Sequence, residues 1–103
     1  MDKETGLITL QLIQSALPTQ SDFDKGDEFS FDRLLDWLTQ QIDHLIDYDY
    51  KHLVEALYRI DVPESKVAEI LNGDVTNVSR NLAKAILERQ MKKAATRIKY
   101  RDW

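Results

Sequence analysis

The aspartates of residues 18–29, PTQSDFDKGDEF, are spaced like the ligands of a calcium-binding loop. An EF-hand counted from Asp22 requires oxygen ligands at its first, third and fifth positions, Gly at the sixth and Glu at the twelfth. Here the fifth position is Gly26, the sixth is Asp27 and the twelfth is Arg33. Because an arginine cannot replace the bidentate glutamate, the motif fails. We interpret this segment as an acidic, solvated linker without a metal.

The other residue types that could carry out catalysis form no recognisable constellation. His44 and His52, the only histidines, are eight residues apart and make no HxxxH or ExxH pair that could clamp a metal ion. The chain contains no cysteine, which excludes disulfides, thiolate nucleophiles and cysteine metal sites. No glycine-rich elbow or phosphate-binding loop is present, because the three glycines are scattered. We therefore predict that the protein is not an enzyme and uses no cofactor or metal.

The charge of the chain is divided unevenly along its length. Residues 1–79 contain six Lys or Arg against sixteen Asp or Glu, whereas residues 80–103 contain eight against two. Such a division favours a charged partner. It is equally consistent with a basic end that lies against the acidic part of the same molecule or of a second copy.

No segment of the sequence indicates a membrane protein. The longest apolar stretch, GLITLQLIQSAL at residues 6–17, is too short and too polar to span a bilayer. The residues before it, Asp2, Lys3 and Glu4, carry net negative charge, whereas a signal peptide begins with positive charge. We expect a cytoplasmic protein with no membrane partner.

The segment ESKVAEILNGDVTNVSRNLA, residues 64–83, matches part of a helix-turn-helix pattern. Its second helix would present five polar side chains to DNA: Thr76, Asn77, Arg80, Asn81 and Lys84. However, Asn72 occupies the position of the turn glycine, and Gly73 and Asn81 occupy positions that are normally apolar. We favour a simple helical hairpin over a DNA-reading motif.

Nucleic-acid binding through the basic last helix is nevertheless the alternative function that the sequence offers. The candidate phosphate contacts are Arg80, Lys84, Lys92, Lys93, Arg97, Lys99 and Arg101, and Tyr100 and Trp103 could stack on bases. Two observations weigh against it. Cations in the last turns of a helix stabilise the negative end of its dipole. The chain as a whole has a net charge of −4, whereas nucleic-acid domains are usually basic.

The candidate functional side chains must be positioned by helices. Apolar periodicity predicts four helices after residue 30. The first covers residues 31–47 with Ser30 as its N-cap, and it turns its aspartates outward: Asp32, Asp36, Asp43 and Asp47. The second covers residues 50–59 with Asp49 as its cap. Both follow from apolar residues at i, i+3, i+4 and i+7 spacing.

The third and fourth predicted helices flank a glycine. Asp61 and Glu64 have capping-box spacing, and Pro63 falls in the first turn, where it is tolerated. Gly73 is placed to end the third helix in the left-handed conformation. The fourth helix starts at Asp74 or Thr76, with Val75 on its inner face.

The fold class that follows is all-α, a small bundle of four core helices with a possible extra helix at the N-terminus. The stretch LITLQLIQ is rich in β-branched residues, but no partner strand exists, so we favour a helix over residues 7–17. The predicted division is an N-terminal segment with its acidic linker at residues 1–29, followed by a helical domain at residues 30–103.

Two strings, LYRIDV at residues 57–62 and AILERQMKKAATR at residues 85–97, resemble a family of small, uncharacterised bacterial proteins. The resemblance covers roughly residues 31–101 and implies an all-helical fold without a function to inherit. It draws attention to four charges within apolar segments: Arg59, Asp61, Glu88 and Arg89. They form either a salt-bridged junction between helices or a partner-binding site.

The function that the sequence favours is a small cytoplasmic protein-interaction module, self-associating and without chemistry of its own. Four aromatic residues lie off the apolar stripes and are candidate interface residues, since tyrosine and tryptophan are enriched in interface cores: Trp37, Tyr48, Tyr58 and Trp103. The partner we expect is therefore protein, either a second copy or another chain.

Overall fold

The computed structural model describes residues 1–26 and 28–101, and within them the chain forms five α-helices and no strand. The helices are α1 (Lys3–Ala16), α2 (Phe31–Tyr48), α3 (Tyr50–Ile60), α4 (Glu64–Leu71) and α5 (Val78–Tyr100), and a 3₁₀ turn at Val75–Asn77 precedes α5. The all-α prediction, including the extra N-terminal helix, is confirmed. Asp27 of the predicted linker and Trp103 of the candidate interface residues lie outside the described residues.

The first two helices begin at polar caps. The Asp2 carboxylate accepts a hydrogen bond of 2.7 Å from the Thr5 amide, so α1 starts four residues before the predicted segment. The Ser30 hydroxyl accepts one of 3.1 Å from the Arg33 amide, as the sequence predicts for α2. Leu34 and Ile42 of α2 are buried, whereas its aspartates are exposed.

The reversal between α3 and α4 differs from the prediction. Asp61 ends α3 in the left-handed conformation, with φ 68° and ψ 43°, and its amide donates to the Leu57 carbonyl at 3.1 Å. Asp61 therefore closes α3 instead of forming a capping box with Glu64. No described glycine has a positive φ, so the left-handed role assigned to Gly73 was wrong. Aspartate tolerates this conformation because its short polar side chain can bond locally.

The start of α5 is held by one carboxylate. Asp74 accepts hydrogen bonds from the Thr76 amide (3.0 Å), the Thr76 hydroxyl (2.7 Å) and the Asn77 side-chain amide (2.8 Å). These bonds, the Thr76 hydroxyl first, lower the pKa of Asp74 below its ordinary value. The 3₁₀ turn that results leaves Val75 82% exposed, which corrects the prediction that Val75 faces inward.

Helix α5 is the centre of the bundle, because α1 and α2 pack along it. Gln90 donates to the Leu12 carbonyl at 3.2 Å, and Arg101 contacts Glu4 at 2.6 Å, so α1 and α5 run in opposite directions. Four helices supply fully buried side chains to one core: Leu10, Ile13, Leu38, Ile42, Leu53 and Ile86.

The segment between α1 and α2 is fastened to this core by two aromatic rings. Phe23 and Phe29 are buried and stacked, with ring centroids 5.4 Å apart, and Phe23 meets Trp37 edge-on at 5.8 Å. The Trp37 indole donates to the Ser21 carbonyl at 3.0 Å. Trp37 is only 8% exposed, so it belongs to the core and not to the surface for which the sequence favoured it.

Arg33, which stands where the calcium motif requires glutamate, holds together the segment between α1 and α2. Its guanidinium lies 4.8 Å from the centre of the Phe23 ring and donates to the carbonyls of Glu28 and Asp24, the latter at 3.0 Å. Asp22 and Asp24 are exposed. The segment is acidic at its surface, and its two phenylalanines anchor it.

Candidate protein-interaction surface

A groove with a volume of about 340 Å³ opens between α3 and α4. It forms because α4 packs on α5, whereas α3 packs on α2, α5 and α1, so the outer face of α3 is left uncovered. We call it the α3–α4 groove. Its lining residues are Tyr50, Val54, Leu57, Tyr58, Val62, Glu64, Val67, Ala68 and Leu71.

The α3–α4 groove has an apolar floor and exposed aromatic walls. Leu57 and Val62 are buried at its base, whereas Tyr58 is 68% exposed and Tyr50 and Leu71 are also exposed. A concave, mainly apolar surface with a few exposed aromatic side chains at its edge is a candidate docking site. Tyrosine is enriched at such sites because its ring buries apolar area while its hydroxyl stays hydrated.

Opposite charges stand at the two ends of this groove. Lys51 and Tyr58 are seven residues apart and so lie on the same side of α3, with Lys51 at the N-terminal end. Glu64 lines the other end, where α3 turns into α4. Neither Lys51 nor Glu64 forms an ion pair with any residue in ranges 1–26 and 28–101. Their charges are therefore available to a partner.

The charges singled out by sequence are only partly brought together. Arg89 contacts Asp61 at 3.4 Å, which joins the α3–α4 turn to α5. Arg59 is exposed and has no ion pair with a described residue, and Glu88 is exposed beside the cleft between α4 and α5. Arg59 and Glu88 thus stand apart from this junction.

Lys93 strengthens the same junction, and sequence reasoning missed this role. Its amine donates to the Ile60 carbonyl at 2.9 Å, which satisfies an acceptor at the C-terminal end of α3. Burial lowers the pKa of Lys93 from its ordinary value, and the neighbouring cations Arg89 and Arg97 lower it further, against the opposing effect of Asp61. Two features could have indicated this role: the lysines of the last helix, and the carbonyl groups at the C-terminal end of α3, which have no partner within that helix.

The remaining cations of α5 fall into two groups, those that pair with an acidic residue and those that pair with no described acidic residue. Arg80 pairs with Asp36 at 3.0 Å, and Arg101 pairs with Glu4. No described acidic residue pairs with a second set of cations: Lys84, Lys92, Arg97 and Lys99. Positive charge therefore remains on the second half of α5.

The polar set proposed for DNA reading is largely engaged within the molecule. Thr76 and Asn77 are bound to Asp74, and Arg80 is bound to Asp36. Asn81 and Lys84 line the cleft between α4 and α5. The geometry thus leaves few side chains free to read base edges.

The histidines occupy unrelated surroundings. His52 is exposed and hydrogen-bonded to Asp49, and the His44 ring lies 4.8 Å from that of Tyr48. Among residues 1–26 and 28–101, no group of three or more His, Asp or Glu side chains could hold a metal ion. No helix in that same part of the chain has both the length and the apolar character needed to cross a membrane.

Comparison with protein families, with curated protein sequences and with solved structures finds no match to this chain. The resemblance of LYRIDV and AILERQMKKAATR to a bacterial family stays a prediction. The function has to be argued from the chemistry of the α3–α4 groove.

Proposed function

We propose that the protein is a self-associating protein-interaction module that binds through the α3–α4 groove. The observation that carries this proposal is the exposure of Tyr50, Tyr58 and Leu71 around a floor of aliphatic side chains. A groove between two helices is a common docking site for a helical segment, which inserts apolar residues at i, i+3 and i+4 spacing.

The energy available at this surface is modest. Complete burial of a large apolar side chain contributes about 1.5–3 kcal/mol, and Tyr58 begins two-thirds exposed. Covering Tyr58 is therefore worth about 1–2 kcal/mol. A few such residues support a reversible contact, not a permanent one.

Light scattering coupled to size-exclusion chromatography, from low to high micromolar protein, tests this proposal. The average mass of the wild-type protein should rise with concentration, whereas Tyr58→Ser should stay monomeric. Tyr48→Ser is the matched control, because Tyr48 is 78% exposed and does not line the groove. Both variants should melt like the wild type, since neither ring fills the core.

A wild-type protein that stays monomeric throughout this range would sink the proposal. Equal loss of association in Tyr48→Ser and Tyr58→Ser would place the contact elsewhere.

Nucleic-acid binding is the second candidate, supported by the cations on the second half of α5 that pair with no described acidic residue. Lys92, Lys93 and Arg97 line one shallow cleft together with Arg89 and Thr96, and none of these described lining residues is acidic. Titration of labelled duplex and single-stranded oligonucleotides at low and at physiological salt tests it. Binding should weaken steeply with salt, with a log–log slope of about −0.9 per duplex phosphate contacted. No binding at low salt removes this candidate.

A further inference from the structure

We infer that the shallow cleft lined by Arg89, Lys92, Lys93, Thr96 and Arg97 binds a compact multivalent phosphate, such as a pyrophosphate or triphosphate group. We call it the α5 cleft. It is separate from the α3–α4 groove, because the two share no lining residue. Phosphate binding there does not depend on the self-association proposed above, and it calls for a small ligand instead of a nucleic-acid chain.

The lining of the α5 cleft is almost entirely cationic. Four of its five residues are Lys or Arg, and the fifth is Thr96, whose hydroxyl donates to the Lys92 carbonyl at 3.0 Å. Arg89, Lys93 and Arg97 follow one another at four-residue intervals, so they form one row along α5. With a rise of 1.5 Å per residue, this row is about 12 Å long. Cations gathered in a concave site without an acidic lining residue among those described suit a ligand with several negative charges.

Two cations of this row are held in place by the end of α3. The Lys93 amine donates to the Ile60 carbonyl at 2.9 Å, and the Arg89 guanidinium contacts Asp61 at 3.4 Å. An ammonium group has three N–H donors and a guanidinium has five, so both groups keep donors for a ligand. The other two cations of the cleft are exposed and pair with no described acidic residue: Lys92 and Arg97. The α5 cleft thus combines two positioned charges with two that can move onto an anion.

The fold itself does not account for the crowding of these cations. Stabilisation by the helix dipole falls off within the last turn, where Arg97 and Lys99 lie, whereas Arg89, Lys92 and Lys93 lie a turn or more further in. Burial, and after it the charges of Arg89 and Arg97, lower the pKa of Lys93, so these cations repel one another. A phosphate group bound in the cleft would relieve this repulsion, because it brings negative charge into the middle of the row.

Acidic residues at both ends of the row favour a compact ligand. Asp61 lies beside Arg89 at one end, and Glu4 contacts Arg101, one turn beyond Arg97, at the other. The α5 cleft has a volume of about 350 Å³, near the lower end of the roughly 300–1,000 Å³ of small-ligand sites. A long nucleic-acid chain would have to pass these carboxylates, whereas a di- or triphosphate group need not reach them.

Titration of the wild-type protein with sodium pyrophosphate at low salt, followed by ¹H–¹⁵N amide shifts, tests this inference. Binding should saturate, and the shifts should cluster in residues 89–97. The double variant Lys92→Gln, Arg97→Gln should weaken binding about tenfold, because each of two exposed ion pairs contributes a few-fold in affinity. Lys84→Gln, Lys99→Gln is the matched control, since it removes two exposed cations of α5 that do not line the cleft, and it should leave the affinity nearly unchanged.

Asp61→Asn provides a second test with the opposite sign. Asparagine tolerates the left-handed conformation of residue 61, and the loss of the carboxylate frees the Arg89 guanidinium for the ligand. Pyrophosphate should therefore bind about twofold to fivefold more tightly. Asp47→Asn, which removes an exposed carboxylate of α2, should change the affinity little.

The absence of saturable pyrophosphate binding at low salt would overturn the inference. Equal weakening by the two double variants would also overturn it, because the affinity would then follow net charge and not the α5 cleft. An oligonucleotide that shifts residues 89–97, while pyrophosphate neither binds nor competes with it, would replace the compact ligand by a nucleic-acid chain. None of these results bears on the α3–α4 groove, which is tested by the response of self-association to Tyr58→Ser.

Discussion

Replacing Gly6 with alanine tests how the N-terminal helix is seated in the bundle. Gly6 is buried in α1, and a Cβ atom there would overlap the Cβ, Cγ and Cδ1 atoms of Phe29. Phe29 cannot yield easily, because it is buried and stacked on Phe23. The Phe29 ring therefore occupies the space that a side chain at position 6 would need.

Two opposing contributions set the size of the effect. Alanine in place of glycine in a helix interior gains up to about 1 kcal/mol of helix propensity. Overpacking a core costs about 1–3 kcal/mol, and overlap with three atoms of a buried side chain belongs in the upper half of that range. The net loss for Gly6→Ala is therefore about 1–2 kcal/mol, or a fall in melting temperature of roughly 5–10 °C.

Urea denaturation followed by circular dichroism at 222 nm measures this loss. Gly26→Ala is the matched control, because a Cβ at Gly26 would meet only the carboxylate tip of Asp24, at 3.1 Å, and should leave stability nearly unchanged. The double variant Gly6→Ala, Phe29→Ala should lose less stability than the sum of the two single variants, since Phe29→Ala removes the overlapping Cγ and Cδ1 atoms. A Gly6→Ala protein as stable as the wild type would refute the seating of Phe29 against α1.

Two further predictions concern the turns. Asp61→Ala should destabilise the protein by about 1 kcal/mol relative to Asp61→Gly in the same urea titration, because both variants lose the contact with Arg89 but only alanine has a Cβ that is strained in the left-handed conformation. The pKa values of Asp2 and Asp74 are lowered by their hydrogen bonds to Thr5 and Thr76. The stability they contribute is thus complete above their ordinary value of 3.8 and is lost as the pH falls through their lowered values. Melting temperatures from pH 5 to about pH 2 should drop less in Asp74→Asn than in the wild type.

Local signals were sufficient for the helices but not for the turns between them. The N-cap Ser30 and the apolar periodicity that follows it predict the start of α2 correctly, because capping and periodicity depend on residues that are close in sequence. The left-handed position fell on Asp61 and not on Gly73, since α3 closes there by bonding back to Leu57 and its turn is held by contacts to α5. Those contacts bring together residues more than twenty positions apart.

The candidate surface was predictable in its residue types and not in its shape. Tyr58 was marked as an interface aromatic because it lies off the apolar stripe of α3, and it is exposed in the α3–α4 groove. Trp37 was marked by the same reasoning, yet the loop that carries Phe23 and Ser21 covers it. Periodicity describes one helix at a time, so it cannot anticipate a loop or a second helix that covers the face.

Amide chemical shifts recorded on dilution test the central claim, that the α3–α4 groove is the self-association surface. A series of ¹H–¹⁵N spectra of the uniformly labelled wild-type protein, from about 1 mM to 20 μM, shifts a weak, reversible association from mostly bound toward mostly free protein. If the α3–α4 groove is the self-association surface, the concentration-dependent shifts should cluster in residues 50–71. The shifts of the exposed face of α2 and of residues 92–99 of α5 should not change. Shifts that cluster on α5 or α2 instead, or no shifts at all, would contradict the account.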